Sequence, residues 1–314
     1  MSLKQAGLHD AIRIVDENDP RIEHFRAVRD ADLRGRDGLF CVESPRVVRR
    51  FLHALLAHRR GAPVAPTVVP HSFFLTDDSA LSMAQMLNEL RDMAEIAPVP
   101  LYLADHGLMS KVSGYKMHMG ALALGTRPSE STFDQLLSVL PPADNLVVAD
   151  GVVLTDNIGA IFRNSGSFGR AGVLLGQGSS DPLHRKVIRV SSGRVFSVPW
   201  GISTDFHRDL ARLREDHGFA LIAAEDTLRA TPLEDVLQIP AVQNARRVAV
   251  ILGSEGSGVS AEIRALCDAT VVIPMAPPNA LMESSDRPSL NVAIASALFL
   301  HRLRCTSRHP GAKI

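Results

Sequence analysis

Three short segments in the second half of the chain pair chemically capable side chains with glycines that let backbone approach a ligand closely. The first, Asn157-Ile-Gly-Ala-Ile-Phe-Arg163, offers an amide and a guanidinium around Gly159. The second, Gly253-Ser-Glu-Gly-Ser-Gly258, places one carboxylate, Glu255, inside a glycine run. The third joins Ile273-Pro-Met275 to Ser289-Leu-Asn-Val-Ala293. Each starts where an aliphatic run stops and helix-compatible sequence begins. Open α/β sheets bind ligands at the carboxyl ends of their strands, so three such segments predict one composite pocket.

Each segment alone has a plainer explanation. The glycine run precedes a helix that includes Ile263 and Leu266, a setting where backbone N–H groups can meet a ligand. Val259-Ser260 stands where a P-loop needs Lys-Ser/Thr, and the order is GxxGxG rather than GxGxxG, which disfavours a dinucleotide fold and an oxidoreductase. A flexible turn is the alternative. Glu255 suits a helix start and is also available to catalysis. Asn157 can cap the helix after it, Arg163 can be a solvated helix arginine, and Phe168-Gly169 closes that helix. Pro288, Ser289 and Asn291 suit another helix start. The specific signal is that all of them occur together, in order.

The elements that must position these residues follow from hydrophobic patterning. In the first half, strands are expected at Leu39–Glu43, Ser72–Thr76, Val99–Leu103 and Ala121–Gly125. A helix starts at Pro45, with Val48, Phe51, Leu52 and Leu55 on one stripe and Arg46, Arg49, Arg50 and His53 on another. Further helices are expected near 78–92 and 105–112, and 58–71 reads as a loop. The proline-rich stretch 126–142 reads as a linker carrying a short helix. In the second half, strands are expected at Leu146–Ala149, Gly172–Leu175, Phe219–Ala223, Val248–Leu252 and Thr270–Ile273. Aliphatic strands without polar alternation imply a sheet buried on both faces, hence parallel. The expected division is a domain at 1–127, a linker at 128–143 and a domain at 144–314.

Composition sets the outer limits. The chain has 314 residues, 46% hydrophobic and 22% charged, with zero formal net charge. Neutrality argues against binding nucleic acid by bulk charge, while leaving room for a local basic face. Three scattered cysteines with no CxxC, and 12 histidines with no HExxH, indicate neither a disulfide framework nor a metal site. A reducing cytoplasm is the simplest compartment, since Met1 to Asp10 lacks an apolar core and no run reaches the ~20 residues of a membrane span.

The order and spacing of the three segments resemble the SpoU-type branch of the SPOUT methyltransferases, over about residues 145–304. The resemblance implies an α/β fold whose mostly parallel sheet carries a deep trefoil knot, and transfer of a methyl group from S-adenosylmethionine to a ribose 2′-hydroxyl of RNA. It assigns Gly253, Ile273 and Leu290 to the cofactor through their backbones, with Leu252, Gly256, Pro274 and Met275 lining the same cleft. Asn157, Arg163, Glu255, Ser289 and Asn291 match its catalytic and substrate positions. Arg36-Asp-Gly-Leu-Phe-Cys-Val-Glu43, Arg46-Val-Val and Gly120-Ala-Leu-Ala are similar to the smaller α/β substrate-binding domain that precedes many SpoU catalytic domains and resembles an RNA-binding ribosomal protein. RNA capture is expected from Arg36, Arg46, Arg49 and Arg50 on the first domain, and Arg185, Lys186 and Arg189 on the second. Two features depart from the pattern: a long stretch from Ala276 to Pro288 before Ser289, and Arg194 where a small residue is commoner.

The implied reaction needs no metal and leaves Arg163 two roles. It is either a base with a perturbed pKa or a fork-shaped clamp on a phosphate. The family's homodimeric habit is carried over as an expectation, as is ribosomal rather than transfer RNA as substrate. A non-catalytic RNA-binding protein that keeps the fold is the rival from another class.

Overall fold

The computed structural model describes residues 2–26, 33–34, 38–62, 68–93, 99–114, 116, 120–128, 132–169, 171–276 and 289–303. Arg36, most of the Ala276–Pro288 stretch, and Pro288 lie outside the described residues. The chain divides into two compact units. One is residues 1–130 with 182–197, and the other is residues 131–181 with 198–314.

The first unit contains β1 (Ile12–Arg13), β2 (Leu39–Glu43), α1 (Pro45–Arg59), β3 (Val69–Leu75), α2 (Asp77–Ser82), α3 (Ala84–Asp92), β4 (Leu101–Leu103), α4 (His106–Ser113) and β5 (Ala121–Thr126). Its five strands form a mixed sheet in the order β1-β4-β3-β5-β2. Pro45 opens α1 as expected, and Val48, Phe51, Leu52 and Leu55 are buried along it. The helix runs to Arg59 and β3 starts at Val69, so the loop expected at 58–71 is shorter at both ends.

The second unit opens with α5 (Phe133–Val139), inside the stretch expected to be a linker. Phe133, Leu136 and Leu140 are buried in the core of this unit, which is why the helix belongs to it. Next come β6 (Asn145–Ala149), α6 (Thr155–Phe168) and β7 (Ala171–Leu175). The chain then makes an excursion, 182–197, carrying α7 (Arg185–Val190), which groups with the first unit. It returns for β8 (Trp200–Ile202), α8 (Phe206–Glu215), β9 (Phe219–Ala224), β10 (Thr231–Pro232), α9 (Pro240–Asn244), β11 (Arg247–Leu252), α10 (Ala261–Leu266), β12 (Ala269–Val272) and α11 (Val292–Leu303).

The seven strands lie in the order β10-β12-β9-β11-β6-β7-β8, with every pairing parallel. Leu146 and Val148 on β6, and Ala249 and Ile251 on β11, point into a core shared with α5, α8 and α10. The alternate residues Val147 and Val250 are equally buried, as strands covered on both faces require. On the other side α6 and α11 pack together, with Phe162 of α6 edge-on to Trp200 at 6.4 Å between ring centres. From β6 the chain steps one way to β7 and β8. It then crosses back to build β9, β11 and β12 on the opposite side. The crevice at the carboxyl ends of β6 and β11 is therefore the topological switch point, where open α/β sheets bind ligands. No helix among the described residues is long and apolar enough to cross a membrane.

Candidate active site

The glycine run after β11 is held at both ends, which answers the question of a flexible turn. At its start, a Cβ built on Gly253 would lie 1.9 Å from the carbonyl carbon of Gly258, so the two limbs close only with glycine there. Gly258 N–H donates to Ser254 O at 3.0 Å, and the Ser254 and Ser257 hydroxyls meet at 2.7 Å. At its end, Glu225 Oε2 accepts from Val259 N at 2.8 Å. Gly258 has φ +65°, and a side chain there would strike that carboxylate.

Glu255 sits at the apex and serves a helix start, but not the one that follows it. Its carboxylate accepts from Val153 N (3.2 Å) and Leu154 N (3.1 Å), just ahead of α6, and from Asn157 Nδ2 at 2.7 Å. Leu154, the cap residue of α6, has no side chain able to cap, so a residue a hundred positions away supplies the acceptor. Asn157 is therefore not the cap. It is the third residue of α6, 4% exposed, and its Oδ1 accepts from Asn291 Nδ2 at 2.9 Å. Asn291 Oδ1 in turn accepts from Ala293 N at 2.9 Å and caps α11. Glu255, Asn157 and Asn291 thus join all three segments in one hydrogen-bonded line. Burial would raise the Glu255 carboxyl, but the hydrogen bonds from Asn157 and the nearby backbone outweigh it and hold it below its ordinary value. Glu255 is a fixed anion at neutral pH.

Beside this line is a cavity of about 570 Å³. Leu252, Gly253, Gly256, Ile273, Met275 and Leu290 line it, with Glu255, Ser289 and Asn291. Pro274 does not. It is exposed between two lining residues, because successive residues of extended chain face opposite sides. Arg163 is not there either. Six residues beyond Asn157, it stands about 9 Å further along α6 and on another face. It is exposed, with no hydrogen bond or ion pair among the described residues. Sequence reasoning missed Glu225, Asp226 and Phe299, which also line the cavity. The strand-end rule applied to β9 would have found the two carboxylates. Cys267 is no nucleophile, because burial, reinforced by Asp268, pushes its thiol up to about 12.

The basic residues expected to capture RNA fare differently. Arg185, Lys186 and Arg189, placed by sequence on the second domain, lie on the excursion and so in the same unit as Arg46, Arg49 and Arg50. Arg185 pairs with Glu43, whose side chain is 11% exposed, and Arg189 stands 3.8 Å from the same carboxylate. Arg50 donates to Ser192 O, and Arg49 to Ser82 Oγ at 3.2 Å. Lys186 is half-buried and also engaged. Arg46 alone of the described set is exposed without a hydrogen-bond or ion-pair partner among the described residues. Phe196 packs on Phe40 and Phe51, at 5.8 and 5.0 Å between ring centres. Much of the predicted RNA face therefore fastens the excursion.

With this geometry in hand, the SpoU rRNA Methylase family model matches residues 144–301. The chain belongs to that family. It is 31% identical over 306 residues to an uncharacterized tRNA/rRNA methyltransferase of Mycobacterium bovis, covering 96% of this chain and 94% of that protein. It is 30% identical to the 23S rRNA (guanosine-2′-O-)-methyltransferase RlmB of Nitrosomonas europaea, over 69% of this chain and 77% of that one. An AdoMet-bound rRNA methyltransferase from Sinorhizobium meliloti shares the fold with a TM-score of 0.71 at 16% identity, covering 96% of this chain and 100% of that one.

Proposed function

We propose that this family member transfers a methyl group from S-adenosylmethionine to a ribose 2′-hydroxyl of structured RNA, ribosomal rather than transfer RNA. The observation that carries the reading is that the second and third segments line one cavity, while Asn157 of the first, outside the lining, ties them together through the Glu255–Asn157–Asn291 line. The similarity to a guanosine-2′-O-methyltransferase of 23S rRNA supports the reaction and the choice of RNA. The cavity fits the cofactor. It has the size of small-molecule sites, apolar walls in Leu252, Ile273 and Met275, and acceptors in Glu225 and Asp226. A Cβ added at Gly256 would meet nothing within 4 Å, so that glycine leaves its backbone open to a ligand. S-Adenosylmethionine supplies an electrophilic methyl on a sulfonium. A trefoil knot through the segments around β12 and α11 belongs to the same reading.

The protein's part is positioning and charge. Asn157 and Asn291 hold one another in a fixed geometry, and Ser289, exposed at the rim, is free to meet the ribose. Arg163 has the shape to clamp the neighbouring phosphate. Standing outside the cavity of its own chain, it acts on a second copy. Val153, Leu154, Leu290, Ile294 and Leu298 are 39–58% exposed and form the apolar surface of that homodimer. Arg46, with Arg36, adds phosphate contacts from the first unit. Incubation with tritiated S-adenosylmethionine and RNA from cells lacking this protein is expected to give RNA-dependent incorporation. Cofactor uptake without incorporation would make it an RNA-binding protein that keeps the fold.

A further inference from the structure

A second cavity, of about 400 Å³, lies on the other side of the glycine loop. Asp150, Gln177, Phe206, His207, Ser254 and Ser257 line it, at the carboxyl ends of β6, β7 and β11. The two loop serines also line the cofactor cavity, so the loop is a shared wall. This second cavity, not the first, occupies the switch point between β6 and β7 on one side and β11 on the other. Its chemistry is not that of a phosphate site. The Asp150 side chain is partly buried, has no hydrogen-bond partner among the described residues, and would repel an anion. Burial raises its pKa, an effect His207 opposes, which marks a carboxyl short of favourable contacts. The Phe206 ring lies over the end of β7 because Gly176 leaves room for it. A Cβ there would stand 2.9 Å from the ring. Gln177 and His207 are exposed side chains at the rim.

An aromatic face, an acceptor and an amide around one void are what an unstacked base requires. Proteins read single-stranded RNA by stacking a splayed base on an aromatic ring and bonding its edge. Taking the methyltransferase reading as given, we propose that this cavity receives the base of the nucleotide to be methylated. The base stacks on Phe206, and an amino-bearing edge donates to Asp150 and meets Gln177. Its ribose then lies toward the shared wall, on the side of the methyl donor.

The test compares wild type with Asp150→Asn and Gln177→Ala, neither of which empties the core. Three quantities are measured: S-adenosylmethionine affinity by calorimetry, KM and kcat for RNA from cells lacking the protein, and the identity of the methylated nucleoside. KM for RNA is expected to rise roughly tenfold, with cofactor affinity unchanged. In Asp150→Asn the label is expected in more than one nucleoside, a change that loss of packing alone would not produce. An active wild type beside variants with unaltered KM and a single nucleoside overturns this assignment alone. So does cofactor affinity that falls in step with RNA. A wild type that binds cofactor and methylates no RNA overturns the proposed function, and this assignment with it.

Discussion

Each unit holds a carboxylate surrounded by nitrogen donors drawn from distant sequence, and the two clusters are put to different use. In the second unit, Glu255 gathers two backbone amides and Asn157, and the line continues through Asn291 to a cavity wall. In the first, Glu43 gathers Arg185 and Arg189, while Arg50 reaches the backbone of Ser192. The first cluster leaves polar edges beside open space. The second is spent on fastening the 182–197 excursion. Ser44 and Ser192, the non-glycine residues at positive φ among the described residues, both sit within it. Such backbone costs about 1–3 kcal/mol per residue and persists only where the surroundings over-determine it. Residue type alone does not separate a site from a fastening. What separates them is whether the donors are already spent.

The largest expected effect would sharpen the first half of that contrast. Arg163→Ala should lower methyl transfer by on the order of 10²- to 10³-fold while cofactor affinity, read by calorimetry, stays within about twofold. Equal loss of both would deny Arg163 its separate role. Next comes Gly253→Ala. The added methyl would collide with Gly258 backbone, and the expected outcome is at least roughly tenfold weaker cofactor binding in a protein that still unfolds cooperatively. Unchanged affinity would mean that the loop is not the cofactor's wall.

The second half of the contrast predicts stability effects. Arg185→Ala removes a charged donor from the largely buried Glu43 carboxylate, and should cost about 2 kcal/mol, seen as a lower Tm. The salt slope of RNA binding should hardly move. If the slope falls and Tm does not, Arg185 is an RNA contact after all. Glu255 gives a smaller, pH-dependent effect. Its folded pKa is depressed, so its contribution is present above the unfolded carboxylate value and is lost as pH falls through the folded one. The side chain is exposed, which limits that contribution to about 1 kcal/mol. Comparing wild type with Glu255→Gln, the stability difference should be flat above about pH 6 and shrink in acid. A difference that grows in acid would contradict the hydrogen-bond account. Smallest is Arg46→Ala, which should reduce the salt slope of RNA binding by about one without moving Tm.

The sheet of the second unit was legible because its strands are aliphatic runs buried on both faces. Five of the strands begin and end within two residues of where the pattern puts them. Trp200–Ile202, three residues flanked by proline and serine, carries too little pattern to stand out. The three segments were legible as a set, since strand-to-helix transitions are local. Their bonding was not. Nothing near Glu255 says that it caps a helix beginning at Thr155, nor that Asn157 is tied to Asn291. The excursion was hidden for the same reason. Arg185 falls between two strands of one unit and packs in the other, an outcome set by Glu43 and Phe40, which are remote in sequence.

The proposed placement of a methyl donor beside a ribose oxygen is what these segments must achieve. It is tested most directly by digesting RNA labelled with tritiated S-adenosylmethionine to nucleosides and locating the tritium. The expected result is label in a 2′-O-methylated nucleoside, at least about a hundredfold lower with Arg163→Ala. Label on a base, or incorporation undiminished by loss of Arg163, would contradict it.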